Sequence, residues 1–249
     1  MPCSLARRKV TDFAEGAQTR KSQLSPERLA PSVVIAALLR VRLVTYVEKD
    51  AINLRMLQQN KPLLILASSS PRRQELLRRL GIPFDIHAAH INEEQIPGEP
   101  PLDYALRLSR EKAEAMAMQY PLSHVLGADT IVVIDGEVLG KPKDQADAAR
   151  MLHRLSGRGH EVITAVSLIA PSSPTETHAS TTKVNFRELT EHEIQQYVAS
   201  GEPMDKAGAY AIQGGASLWA YRMEGEYSNV VGLPLSLVTE MLKTSGLLK

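Results

Sequence analysis

The sequence predicts an α/β domain built on a mixed β-sheet, and three observations lead there. From Lys61 onward, apolar runs of strand length alternate with amphipathic segments of helix length. Segments long enough to be crossovers sit beside a tight hairpin signal, Asp135-Gly136, so parallel and antiparallel pairing are both expected. No internal repeat breaks the order, which suits an α/β domain.

Leu63 to Ala67 is a short continuous apolar run and reads as a buried strand. Pro71 to Leu80 comes next as a helix, with Leu76, Leu77 and Leu80 on one face and Gly81 at its end. Phe84 to Ile91 is a second strand, and the acidic, proline-rich NEEQIPGEPP is a loop. Leu102 to Tyr120 is a longer helix and Val125 to Ile134 a strand that turns at Asp135-Gly136 into EVLG. Asp144 caps the helix QADAARMLHRLSG, which Gly157 closes. HEVITAVSLIA is a strand, TETHAS a surface loop and TTKVNFREL another strand. Thr190 and Glu193 form a capping box for a helix ending near Ser200. A Gly-rich loop, GGAS, leads into WAYRMEGEYSNVVG, which reads as a hairpin turning at Glu224-Gly225. Pro234 then opens a last helix, PLSLVTEMLKT.

The chain has 249 residues, 43% of them hydrophobic, enough for a substantial core. Its 29 basic and 28 acidic residues leave a net charge of +1, which gives no long-range pull toward nucleic acid or an anionic membrane. Aromatics are only 4%, too few for the stacking platforms of single-strand binders. The lone cysteine, Cys3, excludes an internal disulfide and a CxxC zinc pair, and suits a reducing compartment. Residues 1–55 differ from the rest. They contain no secretory signal, and APSVVIAALLRVRLVTYV, interrupted by Arg40 and Arg42, is shorter than the ~20 apolar residues of a membrane span. We expect an N-terminal extension or a mis-assigned start over 1–55, and the folded domain over 56–249.

Several residues break local rules, and they share a character. Ser70 is a good N-cap and Pro71 a good first helical residue, yet the first turn carries Arg72 and Arg73 where acids are favoured. An anion docked on the exposed N–H groups would reverse that penalty. Asp129 stands in a strand, SHVLGADTIVVIDG, on the face of Ile131 and Val133, with Thr130, Val132 and Ile134 opposite. Lys112 falls on the apolar face of its helix, among Ala105, Leu108, Ala115 and Met116, where it must snorkel or meet an anion. Lys141 comes just after the hairpin strand, and Lys206 lies in DKAGAYAIQGG, where glycines permit a close ligand. Gln213 can read a base edge or tie down a loop; Glu93 and Glu94 can ligate a metal or stay solvated. The seven histidines show no spacing typical of a metal site. Phosphates plus a carboxylate that handles water or metal would account for the whole set.

The segments SSSPRRQELLRRLG, RLSREKA, GADTIVV, GKP, LSGRGHEVITAV, EPMDKAGAYAIQG and NVVGLP, in this order, resemble the Maf family of nucleoside triphosphate pyrophosphatases from about Leu63 to the last helix. The resemblance implies a long mixed sheet flanked by helices, two lobes with a cleft between them as in inosine triphosphatases, and commonly a cytoplasmic homodimer. It also implies hydrolysis of a nucleoside triphosphate to monophosphate and pyrophosphate, with Mg²⁺ or Mn²⁺. The proton acceptor falls on Asp129, which with Glu93 would hold the metal. Substrate choice falls on Arg72, Thr130 and Gln213, in a pattern similar to the branch acting on dTTP and UTP rather than the one preferring 7-methyl-GTP. Ser70, Arg73, Lys112, Lys141 and Lys206 are the expected phosphate-binding positions. Two departures stand out: the extension, and ASLWAY, where the family would place an aromatic nearer the glycines. Two other readings remain: a non-catalytic, nucleotide-sensing regulator of cell division and septum formation, and a nucleic-acid binder, which the charge and aromatic content disfavour.

Overall fold

The computed structural model describes residues 64–248, so the expectation for residues 1–55 lies outside the described residues. The first strand, β1 (Leu64–Leu66), is fully buried, as its unbroken apolar run requires. Ser70 caps α1 (Pro71–Arg78), its side chain accepting from the Arg73 amide. The next strand, β2, spans only Asp85–Ile86, much less than the expected Phe84–Ile91. Both residues are exposed and β2 is an edge strand, so little burial holds it beyond its two ladder pairs with β1. Then come α2 (Pro101–Ala117), β3 (His124–Ile134), β4 (Glu137–Leu139) and α3 (Gln145–Leu155), the last capped by Asp144.

Two expectations fail in the second half. TETHAS is not a loop: β6 runs from Glu176 to Phe186, and its first residues pair with β5 (Gly159–Ile169). That stretch lacks large apolar residues, but on an antiparallel partner the ladder holds it regardless of hydropathy. WAYRMEGEYSNVVG is not a hairpin either. After α4 (Glu191–Ala199), β7 (Ala220–Glu224) pairs back onto β6, and the chain then enters a short helix, α5 (Tyr227–Val231). At the junction Gly225 takes φ +131°, and the Thr182 hydroxyl bonds the Glu226 backbone at both N–H and C=O. A buried β6 side chain thus ends the strand where the turn residues suggested a second one. The last helix, α6 (Leu235–Thr244), begins after Pro234 as expected.

The seven strands form one mixed sheet in the order β2-β1-β3-β5-β6-β7, with β4 paired to β3. β1 is parallel to β2 and β3, and the remaining pairs are antiparallel. Helix α2 covers one face, where Ala105 meets Ile131, Val133, Ile163 and Ala165. The other helices pack on the opposite face around Leu66, Leu76, Leu152, Phe186, Val238 and Leu242. Gly127 sets how closely α2 lies on β3: a Cβ there would stand 2.3 Å from the Ser109 carbonyl oxygen. No helix among the described residues is long and apolar enough to cross a membrane.

Strand register opens a gap in the sheet. β1 pairs with β3 only at His124–Leu126, and β4 pairs with it only at Val132–Ile134. Along that side of β3, residues 127–131 have neither strand beside them. The gap lies beyond the C-terminal end of β1, where open α/β sheets place ligands.

Candidate active site

A cavity of about 640 Å³ occupies that gap. It is lined by the turn Ala67–Arg73, by Asp129–Val132 of β3, and by residues just after β4 and flanking the loop near Gln213. Ten residues singled out in the sequence line it: Ser70, Arg72, Arg73, Glu93, Lys112, Asp129, Thr130, Lys141, Lys206 and Gln213, whereas Glu94 does not. Their roles differ, and the differences arise from geometry.

Asp129 is buried on the face covered by α2, and Lys112 of α2 reaches it across the Gly127 contact. The Lys112 ammonium donates to Asp129 Oδ1 at 2.7 Å and pairs at 2.7 Å with Glu93 Oε1. Lysine and aspartate side chains are 9% and 10% exposed, whereas Glu93 is 49% exposed at the cavity mouth. Lys112 therefore does not snorkel; it bridges two carboxylates. Burial pushes the Glu93 carboxyl up, but the Lys112 hydrogen bond and charge, then Lys141 and Arg73, hold it below the ordinary range. Asp129 Oδ2 accepts no hydrogen bond from the described residues.

Thr130 points to the opposite face, as strand alternation requires. There Arg73 is bracketed: Nε donates to the Gly232 carbonyl at 2.8 Å, Nη2 to Thr130 Oγ1 at 2.9 Å and Nη1 to Ser68 Oγ at 3.3 Å. Withdrawal from solvent lowers the guanidinium pKa, and the charge of Asp129 opposes that shift. The bracket continues inward. Thr164 Oγ1 donates to the Asn229 carbonyl at 2.9 Å, which commits its only proton. With that proton spent, Thr130 has one proton of its own to share between Thr164 Oγ1 at 3.0 Å and the Gly232 carbonyl at 3.4 Å. Arg73 is thus a tethered cation, and Thr130 is committed to the network behind it.

Arg72, beside it on the same turn, is half-buried and makes no hydrogen bond or ion pair with the described residues, although its charge acts on Asp205. Lys141 is exposed after β4 and its charge acts on Glu93. Lys206 pairs with Asp205 and donates to the Glu202 carbonyl at 3.3 Å. Gln213 is exposed, its amide making no hydrogen bond with the described residues. Among the lining residues five cations stand against three carboxylates, a net of two positive charges in a chain whose total is +1.

Sequence reasoning missed the supports of Glu93. Tyr104 donates its hydroxyl to the Glu93 carbonyl at 2.6 Å. Arg107 grips Glu99 with Nε at 2.7 Å and Nη2 at 2.8 Å, and Nη2 also reaches the Glu94 carbonyl at 3.1 Å. The acidic loop is thereby fastened to α2. The proximity of Arg107 to Glu111 was readable from helical spacing, but its grip on a loop eight residues upstream was not. Asp205 was missed too, having no local anomaly to mark it.

The donor set bears on whether a divalent cation fits. No group of three His, Cys, Asp or Glu residues among those described could hold one. Asp129 Oδ1 and Glu93 Oε1 are taken by the Lys112 ammonium, which leaves Asp129 Oδ2 and Glu93 Oε2 without a hydrogen-bond partner among the described residues. A magnesium-like ion carried by substrate phosphates uses one or two carboxylates and completes its shell with phosphate and water. The residues fit an ion of that kind.

The sequence profile described as Maf-like protein matches residues 63–245, nearly the whole of what the structure describes. This chain belongs to the Maf family. Two curated relatives are both called dTTP/UTP pyrophosphatase. The one from Geobacter metallireducens (strain ATCC 53774 / DSM 7210 / GS-15) is 54% identical over 74% of this chain and 97% of its own length. The one from Koribacter versatilis (strain Ellin345) is 52% identical over 74% of this chain and 95% of its own. Among solved structures, the Staphylococcus aureus Ham1 protein is similar at a TM-score of 0.44 and 15% identity, covering 73% of this chain and 98% of that one. For this Maf protein the seven-stranded sheet and its flanking helices stand on its own strand pairing, not on that likeness.

Proposed function

We propose that this Maf protein hydrolyses dTTP and UTP to the nucleoside monophosphate and pyrophosphate, as a house-cleaning enzyme of the nucleotide pool. Relatives of that name, more than half identical over nearly their whole lengths, support the activity. The observation that carries the chemistry is the buried Asp129 carboxylate opening on the same cavity as the cationic first turn of α1.

The phosphates would lie on the N–H groups of the Ser70–Arg73 turn, where the helix dipole favours an anion. Arg73 offers a charge already fixed in place, while Arg72, Lys141 and Lys206 close around the chain of phosphates. A pre-set positive field of this kind stabilises charge developing on the departing pyrophosphate without reorganisation. Asp129, with Lys112 anchoring Oδ1, keeps Oδ2 as the acceptor for the proton of an attacking water. Glu93 and Asp129 would hold Mg²⁺ or Mn²⁺, which as a Lewis acid would offset phosphate charge. The net of two lining charges matches a metal–triphosphate complex of about −2 better than a free triphosphate. Gln213 would meet the pyrimidine edge; Thr130, already bonded on both sides, serves through Arg73. A nucleotide sensor is the weaker reading, because an acid facing phosphates would only repel the ligand it is meant to bind. A cytoplasmic homodimer without nucleic-acid or membrane partners is the setting that the family resemblance and charge balance suggest.

A panel of nucleoside triphosphates with Mg²⁺ or Mn²⁺ tests the reaction: pyrophosphate from dTTP and UTP is expected, and orthophosphate would mean cleavage at the γ-phosphorus instead. Asp129→Asn is expected to lower turnover by about 10²–10⁴-fold while nucleotide still binds. Wild-type turnover of dTTP by that variant would remove Asp129 from the mechanism.

A further inference from the structure

Gln213 sits outside any strand or α-helix, between Tyr210 and a short turn at Gly215–Leu218. A side chain that discriminates bases by hydrogen bonds has to be held within about 0.5 Å of its working position, so something must fix this stretch. The fastening is symmetric about Gln213. Two residues before it, the Ala211 N–H donates to Tyr197 Oη at 3.0 Å. Two residues after it, the Gly215 N–H donates to Glu202 Oε2 at 3.3 Å. Tyr197 Oη in turn donates to Glu202 Oε1 at 3.0 Å, so both tethers end on one phenol–carboxylate pair. Between them the Gly214 N–H closes a turn onto the Ala211 carbonyl at 3.0 Å. Gly214 also shows how tightly the carboxylate is seated: a Cβ there would fall 1.7 Å from Glu202 Oε1.

The anchor itself is firm. Tyr197 is buried on α4, and its ring meets Trp219 edge-on at 4.8 Å. Burial, and after it the Glu202 carboxylate, push the phenol pKa up, so the hydroxyl stays a donor. Neither Tyr197 nor Glu202 lines the cavity.

We propose that the Tyr197–Glu202 pair is a positioning device for base selection, holding the backbone on both sides of Gln213 so that its amide meets the pyrimidine edge in one orientation. The pair touches neither substrate nor the reacting phosphorus. The inference rests on Gln213 reading the base, and the experiment separates the two claims.

The ratio of kcat/KM for dTTP over dGTP is measured with Mg²⁺ for Tyr197→Phe, Gln213→Ala and the double variant. Tyr197→Phe keeps the ring on Trp219 and removes the oxygen that joins both tethers. Its expected result is a three- to tenfold fall in the ratio (about the loss of one neutral hydrogen bond), carried by a higher KM for dTTP with kcat at saturation held. Gln213→Ala is expected to lower the ratio at least as far, and Tyr197→Phe to add less than twofold on that background. A merely structural tyrosine would change the melting temperature without moving the base ratio. An unchanged ratio in Tyr197→Phe alongside a lowered one in Gln213→Ala overturns the positioning role and leaves base reading intact. An unchanged ratio in Gln213→Ala overturns both. Glu202→Met is a second variant for the case where Tyr197→Phe does not fold: it keeps an unbranched stem but removes both the acceptor of the Gly215 N–H and that of the Tyr197 hydroxyl, and a fall in the ratio is again expected.

Discussion

Replacing Lys112 by methionine keeps an unbranched stem and deletes the ammonium that lies 2.7 Å from both Asp129 and Glu93. The two losses differ in size. With the lysine and aspartate both about nine-tenths buried, removing one partner of such a pair costs about 3–5 kcal/mol. The Glu93 pair is half exposed and screened, and adds at most about 1 kcal/mol. An upper bound comes from protonation, since an orphaned carboxylate can take up a proton instead. From an ordinary aspartate value of about 3.9, that costs about 4 kcal/mol at pH 7 and about 1.5 kcal/mol at pH 5. Lys112→Met is therefore expected to lose about 3–4 kcal/mol at pH 7, with the gap to wild type narrowing to roughly half or less at pH 5. Glu93 adds a lower window. Its folded pKa is depressed, so its contribution is present above the ordinary glutamate value of about 4.3 and is lost only as pH falls through the folded one. Urea unfolding of both proteins at pH 7 and pH 5, monitored by circular dichroism, measures the difference directly. A gap below about 1 kcal/mol at pH 7, or one that widens at pH 5, would refute the bridging ammonium.

Two further perturbations probe the frame around the site. Gly127→Ala drives a Cβ into the Ser109 carbonyl and to 2.8 Å from the Ala113 amide, backbone atoms that cannot step aside singly. We expect about 1–3 kcal/mol of destabilisation and reduced turnover as α2 carries Lys112 off Asp129; a thermal scan matching wild type would contradict this packing. His160 is buried beside Phe186 and bonded to Tyr210 at 2.8 Å, and burial brings its pKa down to about 4. Between about 6.5 and 4 the unfolded chain binds the proton and the folded one does not, so stability falls as pH drops, by about 2 kcal/mol at pH 5. His160→Phe should flatten that loss in urea midpoints taken at pH 7 and pH 5, and an equally steep fall would place the titration elsewhere.

The reach of the sequence can be judged from particular elements. β1, α1 and β3 were legible because burial and capping leave local signatures: an unbroken apolar run, Ser-Pro at a helix start, an acid inside a strand. β6 was half missed because its first residues are held by a ladder to β5, and hydrogen bonds to a partner strand leave no mark on hydropathy. The hairpin at Glu224-Gly225 failed for a related reason: Thr182, over forty residues upstream, sets the path of the chain beyond β7. Arg72, Arg73, Lys112, Asp129, Lys141 and Lys206 stood out as residues in unusual local settings, and the family resemblance brought in the roles of Ser70, Thr130 and Gln213, but the connections among them were not legible. That Lys112 bridges two acids depends on how closely α2 lies on Gly127, and that Thr130 is committed depends on Thr164 and Asn229.

For the pair Arg72 and Arg73, helical geometry carries more information than their charge alone. Consecutive helical residues point about 100° apart, so only one of the two can face the sheet. Arg73 stands three and four residues before Leu76 and Leu77, the two buried residues of α1, and so shares their face. Arg72 stands four residues before Leu76 but five before Leu77, about 90° round the helix from the centre of their face, and lies half-buried on the flank. Helical spacing alone therefore assigns Arg73 inward and Arg72 to the flank, and the bonds of Arg73 to Gly232, Thr130 and Ser68 realise the first of these. An inward guanidinium is costly unless every nitrogen finds an acceptor, and here each donates once while the two terminal nitrogens keep further N–H bonds. Its charge is thus set in place before any phosphate arrives, whereas Arg72 must give up side-chain freedom to bind. One arginine supplies preorganisation and its neighbour supplies reach, and the spacing of two leucines decides which is which.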